Sequence, residues 1–265
     1  MIFALSETRK AMPLFDGWQE TMVWSCLQGV MGKIYVNHTK EPVSAMAVLG
    51  DFCFLAGEPD PELVLSHSND QAFCIMVPKD SAWAGCIEAC YQKRAKKVVR
   101  YAVKKEPDVF DTKLLQRIVD RLPGEYSLRM IDQALFRRFH KIGWCSDWVA
   151  QYEDYEKYQA YGMGAVILKD GEPVSGASSY SGYLGGIEVE IDTREDFRRK
   201  GLASVCGAKL ILECLKRGWY PSWDAQNLWS LALAEKLGYH FDKEYTAYEV
   251  LEREKDETWN KKQIR

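Results

Sequence analysis

Arg198-Arg199-Lys200-Gly201-Leu202-Ala203 sets three cations and a glycine between two segments of different periodicity. Before it, Ile187-Glu188-Val189-Glu190-Ile191 alternates apolar and acidic residues with a period of two, the pattern of a half-buried strand. After it, Leu202 to Arg217 is apolar nearly all round, with Lys209, Glu213 and Arg217 forming one polar stripe at four-residue spacing, the pattern of a mostly buried helix. The local order is therefore strand, basic glycine turn, helix. A helix N-terminus carries about half a positive charge, and cations there are unfavourable by roughly 0.3–1 kcal/mol each, so three together imply that an anion is expected. Gly201 would let a backbone N–H approach that anion with no Cβ in the way.

A second motif follows at a fixed distance. Tyr220-Pro221-Ser222-Trp223-Asp224-Ala225 reads as a short strand, Asn227 as the cap of a helix that runs through Leu237, and Gly238-Tyr239 as its end. The first motif resembles the Arg/Gln-x-x-Gly-x-Gly/Ala signature of the GNAT superfamily of acyl-CoA-dependent N-acyltransferases, with Arg198, Gly201 and Ala203 in its defined places. Asn227, Ser230 and Glu235-Lys236-Leu237-Gly238-Tyr239 resemble the second motif of that superfamily. Glu188-Val189-Glu190-Ile191-Asp192-Thr193 and Pro221-Ser222-Trp223-Asp224-Ala225 resemble a branch that includes zwittermicin-resistance-type acetyltransferases. The likeness is strong over the C-terminal half and weak over the N-terminal half.

The resemblance implies acetyl-CoA as acyl donor and direct transfer to a primary amine of a small cationic acceptor. Backbone N–H groups of Arg199, Lys200, Gly201, Leu202 and Ala203, with Arg198 beside them, would hold the pyrophosphate. The backbone of Ile191, Asp192 and Thr193 would pair with the pantetheine arm, and Asn227 and Ser230 would touch the arm or the departing thiolate. An amine is mostly protonated at neutral pH and has no lone pair to attack a thioester, so a base is needed. Glu188 and Glu190 share one strand face by period two, where each carboxylate can raise the other's pKa; Glu190, nearer the strand end, is expected to be the base, with Glu188 next. A solvated acidic strand face is the plain alternative. Ala234 stands where many superfamily members carry a tyrosine as general acid. That departure keeps open a non-catalytic acyl-CoA-binding regulatory module.

Composition narrows the partners. The chain of 265 residues has a formal net charge of −3 and a pI of about 5.9, so no global field would draw it to nucleic acid. No apolar run is long enough to span a bilayer, and a soluble, cytoplasmic protein is expected. The eight cysteines are scattered without zinc-type spacing, so reduced thiols and no metal are expected. His38, His67, His140 and His240 stand apart, without triad spacing. Trp144 and Trp148, one helical turn apart, read as core residues that can also line an acceptor pocket. The oligomeric state stays open, a homodimer included.

The expected fold is α/β, a mixed and mostly antiparallel sheet flanked by helices, with a C-terminal acetyltransferase domain over residues 124–265. Residues 1–123 read as a degenerate partial copy of the same fold. Glu41-Pro42-Val43-Ser44-Ala45 nearly repeats Glu172-Pro173-Val174-Ser175-Gly176, and each segment opens the second strand of a hairpin. The N-terminal copy has no basic glycine turn, so no cofactor is expected there. Helices are expected over 16–29, 81–97, 132–142 and 147–161, and strands over 33–37, 43–49, 51–56, 73–77, 98–103, 126–131, 163–168, 173–180 and 246–251.

Overall fold

The structure, a computed structural model, describes residues 1–66 and 73–251. The chain forms two compact units, one of Met1–Arg100 with the chain from Tyr245 onward, the other of Tyr101–Glu244. In the first unit, β1 (Phe3–Ala4) is followed by a 3-10 helix (Thr8–Phe15) and α1 (Thr21–Gln28). Then come β2 (Lys33–Val36), β3 (Ser44–Leu49), β4 (Phe52–Gly57), α2 (Pro61–Ser66), β5 (Phe73–Pro78) and α3 (Ser81–Tyr91). Its strands lie in the order β1-β2-β3-β4-β5, antiparallel except for the parallel β4–β5 pair. β6 (Ala95–Val103) carries the chain into the second unit, and β13 (Phe241–Leu251) returns it, Leu251 pairing with Phe73 on β5.

The second unit repeats the same order of elements. α4 (Thr112–Val119) precedes β7 (Ser127–Met130), α5 (Gln133–Phe139), a 3-10 turn (Ser146–Trp148) and α6 (Tyr155–Tyr161). β8 (Gly164–Lys169), β9 (Glu172–Tyr183) and β10 (Gly186–Thr193) follow, then α7 (Leu202–Lys216), β11 (Tyr220–Ser222), β12 (Asp224–Ala225) and α8 (Leu228–Leu237). The sheet order β7-β8-β9-β10-β11 is antiparallel except for the parallel β10–β11 pair. Strand, helices, three antiparallel strands, helix, parallel strand, helix is thus the plan of both units. The two near-repeats sit at the same place in it, since β3 begins at Ser44 and β9 at Glu172. The N-terminal unit is a partial copy of the C-terminal one.

The core of the second unit forms where α7 lies on the sheet. Leu202, Val205, Cys206, Leu210 and Ile211 pack with Ile187 and Val189 of β10, and with Ile167, Val174 and Ala177 of the neighbouring strands. The polar stripe of α7 is used elsewhere: Lys209 pairs with Glu213 at 2.6 Å, and Arg217 donates to the carbonyls of Gln159 and Gly162.

Several element bounds differ from expectation for local reasons. The helix expected over 81–97 stops at Tyr91, because Gln92 turns to φ +50° and Ala95 already begins β6. The helix expected over 147–161 is a single turn at Ser146–Trp148 followed by α6, which Asp154 starts anew by accepting from the Lys157 N–H. The expected strand over 220–225 is two strands, since Ser222 pairs with β10 while Asp224 pairs with Ala102 on β6. The helix expected from Asp16 begins at Thr21. α4, capped by Asp111 and burying Leu115 and Ile118 beside α7, has no counterpart in the sequence reading. His67 lies outside the described residues.

Gly182 shows how closely β9 meets the end of α6. A Cβ there would stand 1.9 Å from the Tyr161 carbonyl oxygen, a backbone atom that cannot swing aside. Gly182→Ala is expected to lower unfolding stability by about 3 kcal/mol through overpacking, read from urea denaturation midpoints.

Candidate active site

β9 and β10 lose register at one point. Glu188 pairs with Ser181 and Val189 with Ser179, so Tyr180 is an extra residue on β9. A bulge of this kind increases local twist and bends the strand pair. The parallel pairing of β10 with β11 ends at the same level: Gly186, Ile187 and Glu188 pair with Tyr220, Pro221 and Ser222, and beyond Glu188 the two strands part. Among the described residues, no strand then borders the outer edge of Val189–Thr193. The result is a wedge with one wall formed by a strand edge that no other strand borders, the Thr193 carbonyl on it being taken by Arg198 Nε.

The wedge leads to the basic turn. After Thr193 the chain makes a 3-10 turn (Glu195–Phe197), then passes Arg199 at φ +59° and Gly201 at φ +79° before α7 begins. Two left-handed residues so close together bring successive backbone N–H groups round to one side, an anion-binding geometry. No side chain caps α7, so its first N–H groups are left for another partner. A Cβ at Gly201 would meet nothing within 4 Å; conformation, not crowding, is what requires glycine there.

Arg198, Arg199 and Lys200 are exposed and Arg194 is half-buried, and these cations are held by neutral groups as well as acids. Arg198 Nε donates to the Thr193 carbonyl at 3.3 Å, while the Lys200 ammonium and the Arg194 guanidinium lie 4.3 and 4.5 Å from the Phe197 ring centre. Arg194 also grips Asp196 with two hydrogen bonds of 2.7 and 2.9 Å. Leu202 is buried in the core, so it can offer a ligand only its N–H, and Ala203 is half-buried beside it. Arg194 and Phe197 were absent from the sequence reading, and only the folded turn brings them against Lys200.

Asn227 and Ser230 are already employed. Asn227 Oδ1 caps α8 by accepting from the Ser230 N–H at 2.9 Å, and Ser230 Oγ accepts from the Trp223 indole at 3.0 Å. Ala234 is fully buried. Tyr239, the aromatic after Gly238, donates its hydroxyl to the Pro221 carbonyl at 2.6 Å inside the core, which leaves it no proton for a cleft.

The acids sort differently from the sequence expectation. Ile187, Val189 and Ile191 face α7, so Glu188, Glu190 and Asp192 share the opposite face. Glu188, however, is buried near Tyr183, Tyr220 and Tyr239, where its charge helps push those phenols up. Burial pushes the Glu190 carboxyl well above its ordinary range, and the charges of Asp192 and Asp147 add to it. Asp192 is pushed from 3.8 up to about 6, by burial first and then by Asp147. The charge partner of Glu190 is therefore Asp192, not Glu188. Asp147 enters because the turn Ser146–Trp148 lies over β9 and β10, a tertiary contact with no sequence signal. Trp148 is fully buried against Gly176, and Trp144 packs edge-on to it at 5.2 Å.

A wedge in a strand pair, opening on an uncapped helix start and faced by acids, suits an enzyme that handles an extended, anion-tipped donor. A GNAT acetyltransferase family model matches residues 12–248. The chain belongs to the GNAT acetyltransferase family and is an acetyltransferase. It is similar to a GCN5-related N-acetyltransferase-like protein of Streptococcus suis 89/1591, with 47% identity and a TM-score of 0.88, covering 92% of this chain and 98% of that one. It is 27% identical over 252 residues to the uncharacterized N-acetyltransferase YdfB of Bacillus subtilis (strain 168), covering 88% of this chain and 91% of the relative. A tandem GNAT protein from the clavulanic acid biosynthesis pathway shares the fold at 10% identity and a TM-score of 0.55, with 97% and 99% covered. Among the described residues, no helix is long and apolar enough to cross a membrane, and no group of three or more His, Cys, Asp or Glu could hold a metal.

Because Asp192 holds its proton more tightly folded than unfolded, the unfolded chain releases protons first between about pH 4 and 6, and stability falls as pH rises through that window. The penalty persists above it. Asp192→Asn is expected to be more stable than the parent at about pH 7.5 and to show no such gain near pH 4, checked by urea unfolding at both values.

Proposed function

We propose that residues 124–265 transfer acetyl directly from acetyl-CoA to a primary amine of a small cationic acceptor. The observation that carries this reading is the parting of β10 from β11 beside an uncapped α7 with Arg199 and Gly201 in left-handed conformation. The free edge at Ile191, Asp192 and Thr193 suits the amide groups of the pantetheine arm, which would join it as an added strand. The N–H groups from Arg199 to Ala203 suit the pyrophosphate, with Arg198 and Lys200 supplying positive charge. Asn227 keeps its amide nitrogen for the arm, since only its oxygen serves as the cap. Likeness to named N-acetyltransferases favours transfer over a regulatory acyl-CoA-binding module.

An ammonium entering beside Glu190, Asp192 and Asp147 meets negative charge, which favours cationic acceptors. An aminopolyol of the kind the zwittermicin-resistance resemblance implies, a polyamine and a peptide N-terminus all fit that requirement. The carboxylates of β10, Glu190 foremost and Glu188 behind it, would take the ammonium proton so that the free nitrogen can attack the thioester carbonyl. Without a tyrosine at Ala234, the thiolate would leave with a proton from water or Ser230, or unassisted.

The N-terminal unit would take no acetyl-CoA. Its parallel pair is closed, with Phe52, Cys53, Phe54 and Leu55 of β4 matched to Ile75, Met76, Val77 and Pro78 of β5, and β3–β4 keeps an unbroken register. The chain entering α2 is acidic, with Glu58, Asp60 and Glu62 where the other unit has Arg198 to Lys200.

Calorimetry with acetyl-CoA tests both statements. One molecule is expected per chain. Gly201→Val, which forces a branched residue into left-handed backbone, is expected to abolish binding while leaving the far-ultraviolet circular dichroism unchanged. Unchanged affinity would overturn the assignment of the turn, and two molecules per chain would overturn the closed N-terminal unit.

A further inference from the structure

Among the described residues the other tryptophans are buried or half-buried, whereas Trp229, on the first turn of α8, is 87% exposed. An indole so open to water adds little to the core, and its place beside the site is what needs an account. The contacts of α8 with α7 fix that place. Because β10 and β11 run parallel, the helices that follow them begin at the same end of the sheet. The two helices meet where Leu237 lies on Gly207: a Cβ at Gly207 would stand 2.7 Å from Leu237 Cδ1. Lys236 Nζ donates to Ser204 Oγ on the first turn of α7 at 3.0 Å, and Leu233 packs against the core that α7 shares. Trp229 stands seven residues before Lys236 and four before Leu233, hence on the same flank of α8, toward α7. Along the axis it lies about 12 Å before Leu237, and an equal distance back from Gly207 runs past Leu202, the first residue of α7, to the level of the basic turn. Leu228, 62% exposed, is turned about 100° further round the helix, away from α7.

We propose that Trp229 is the platform on which the adenine ring of acetyl-CoA stacks. This rests on the acetyl-CoA reading above and adds the place of the nucleotide end. With the pyrophosphate on the N–H groups from Arg199 to Ala203, the ribose and base leave the turn at the level where the open indole stands. A purine and an indole are both flat, and stacking them takes apolar surface of each out of water without a hydrogen bond between them. Arg199 and Lys200 are exposed on the same rim, so charge holds the phosphates while the ring holds the base. The pantetheine arm is held apart from both, along the edge of β10. Loss of the indole therefore weakens the grip on the nucleotide and leaves the grip on the arm.

Fluorine-19 NMR of the whole protein, labelled with 5-fluorotryptophan, reads this place without an acceptor and without turnover. The Trp229 signal is the one lost in Trp229→Phe. It is expected to move on addition of acetyl-CoA and of adenosine 3′,5′-bisphosphate, and to stay in place with S-acetylpantetheine, which lacks the nucleotide. In calorimetry, Trp229→Ala is expected to weaken acetyl-CoA about 10-fold or more and Trp229→Phe markedly less, with the far-ultraviolet circular dichroism of both unchanged. A Trp229 signal that ignores acetyl-CoA while calorimetry records binding overturns the platform and leaves the acetyl-CoA reading standing. A signal that answers S-acetylpantetheine and not the bisphosphate also overturns it, since the indole then lines the arm. A sedimentation mass that drops from dimer to monomer in Trp229→Ala overturns it as well, the indole then being a contact between copies. Wild type that binds no acetyl-CoA at all sinks both the platform and the reading beneath it.

Discussion

One extra residue on β9 governs the C-terminal unit. Tyr180 breaks the register of β9 with β10 between Glu188 and Val189, and it is just there that β11 stops following β10. A parallel pair without such a bend keeps adding ladder hydrogen bonds, because each buried N–H and C=O left unpaired costs free energy. A bulge adds twist to one pair and bends it, and here the pairing on the other side of β10 ends at the same level. Everything the site uses follows: a free strand edge, a wedge beside it, and a turn at its end that feeds an uncapped helix.

The N-terminal unit is the natural comparison, since it has the same order of elements without the bulge. β3 and β4 pair in unbroken register from Ser44 to Leu49, and β4 and β5 pair from Phe52 to Leu55. Acidic residues replace the cations at the start of the following helix. The same sheet plan therefore supports two outcomes. In one copy the strands stay paired, with Met46, Cys53, Leu55, Cys74 and Met76 in the core beneath them; in the other, the parallel pair opens beyond Glu188.

Local signals in the chain were good guides wherever the cause was local. Alternation located β10, the glycine before an apolar run located α7, and Asn227 located α8. Five repeated residues were enough to align the two units, because both copies still need the same hairpin. Reading failed where a backbone turn cut across a helical pattern, as at Gln92 and Asp154, and where a short helix such as α4 depends on the partner it covers. It also paired Glu190 with Glu188, the acid nearest in pattern, when burial and a covering turn couple it to Asp192 and Asp147 instead.

The order of elements, the basic glycine turn and the acidic face were thus set by residues acting on their immediate neighbours, through side-chain alternation, helix capping and the conformational freedom of glycine. The wedge, the distinct environments of three carboxyls on one strand, and the closure of the N-terminal copy were decided only in three dimensions. Strand pairing is a contest between edges far apart in sequence, and the charge on an acid depends on what buries it. Neither quantity belongs to any single stretch of the chain.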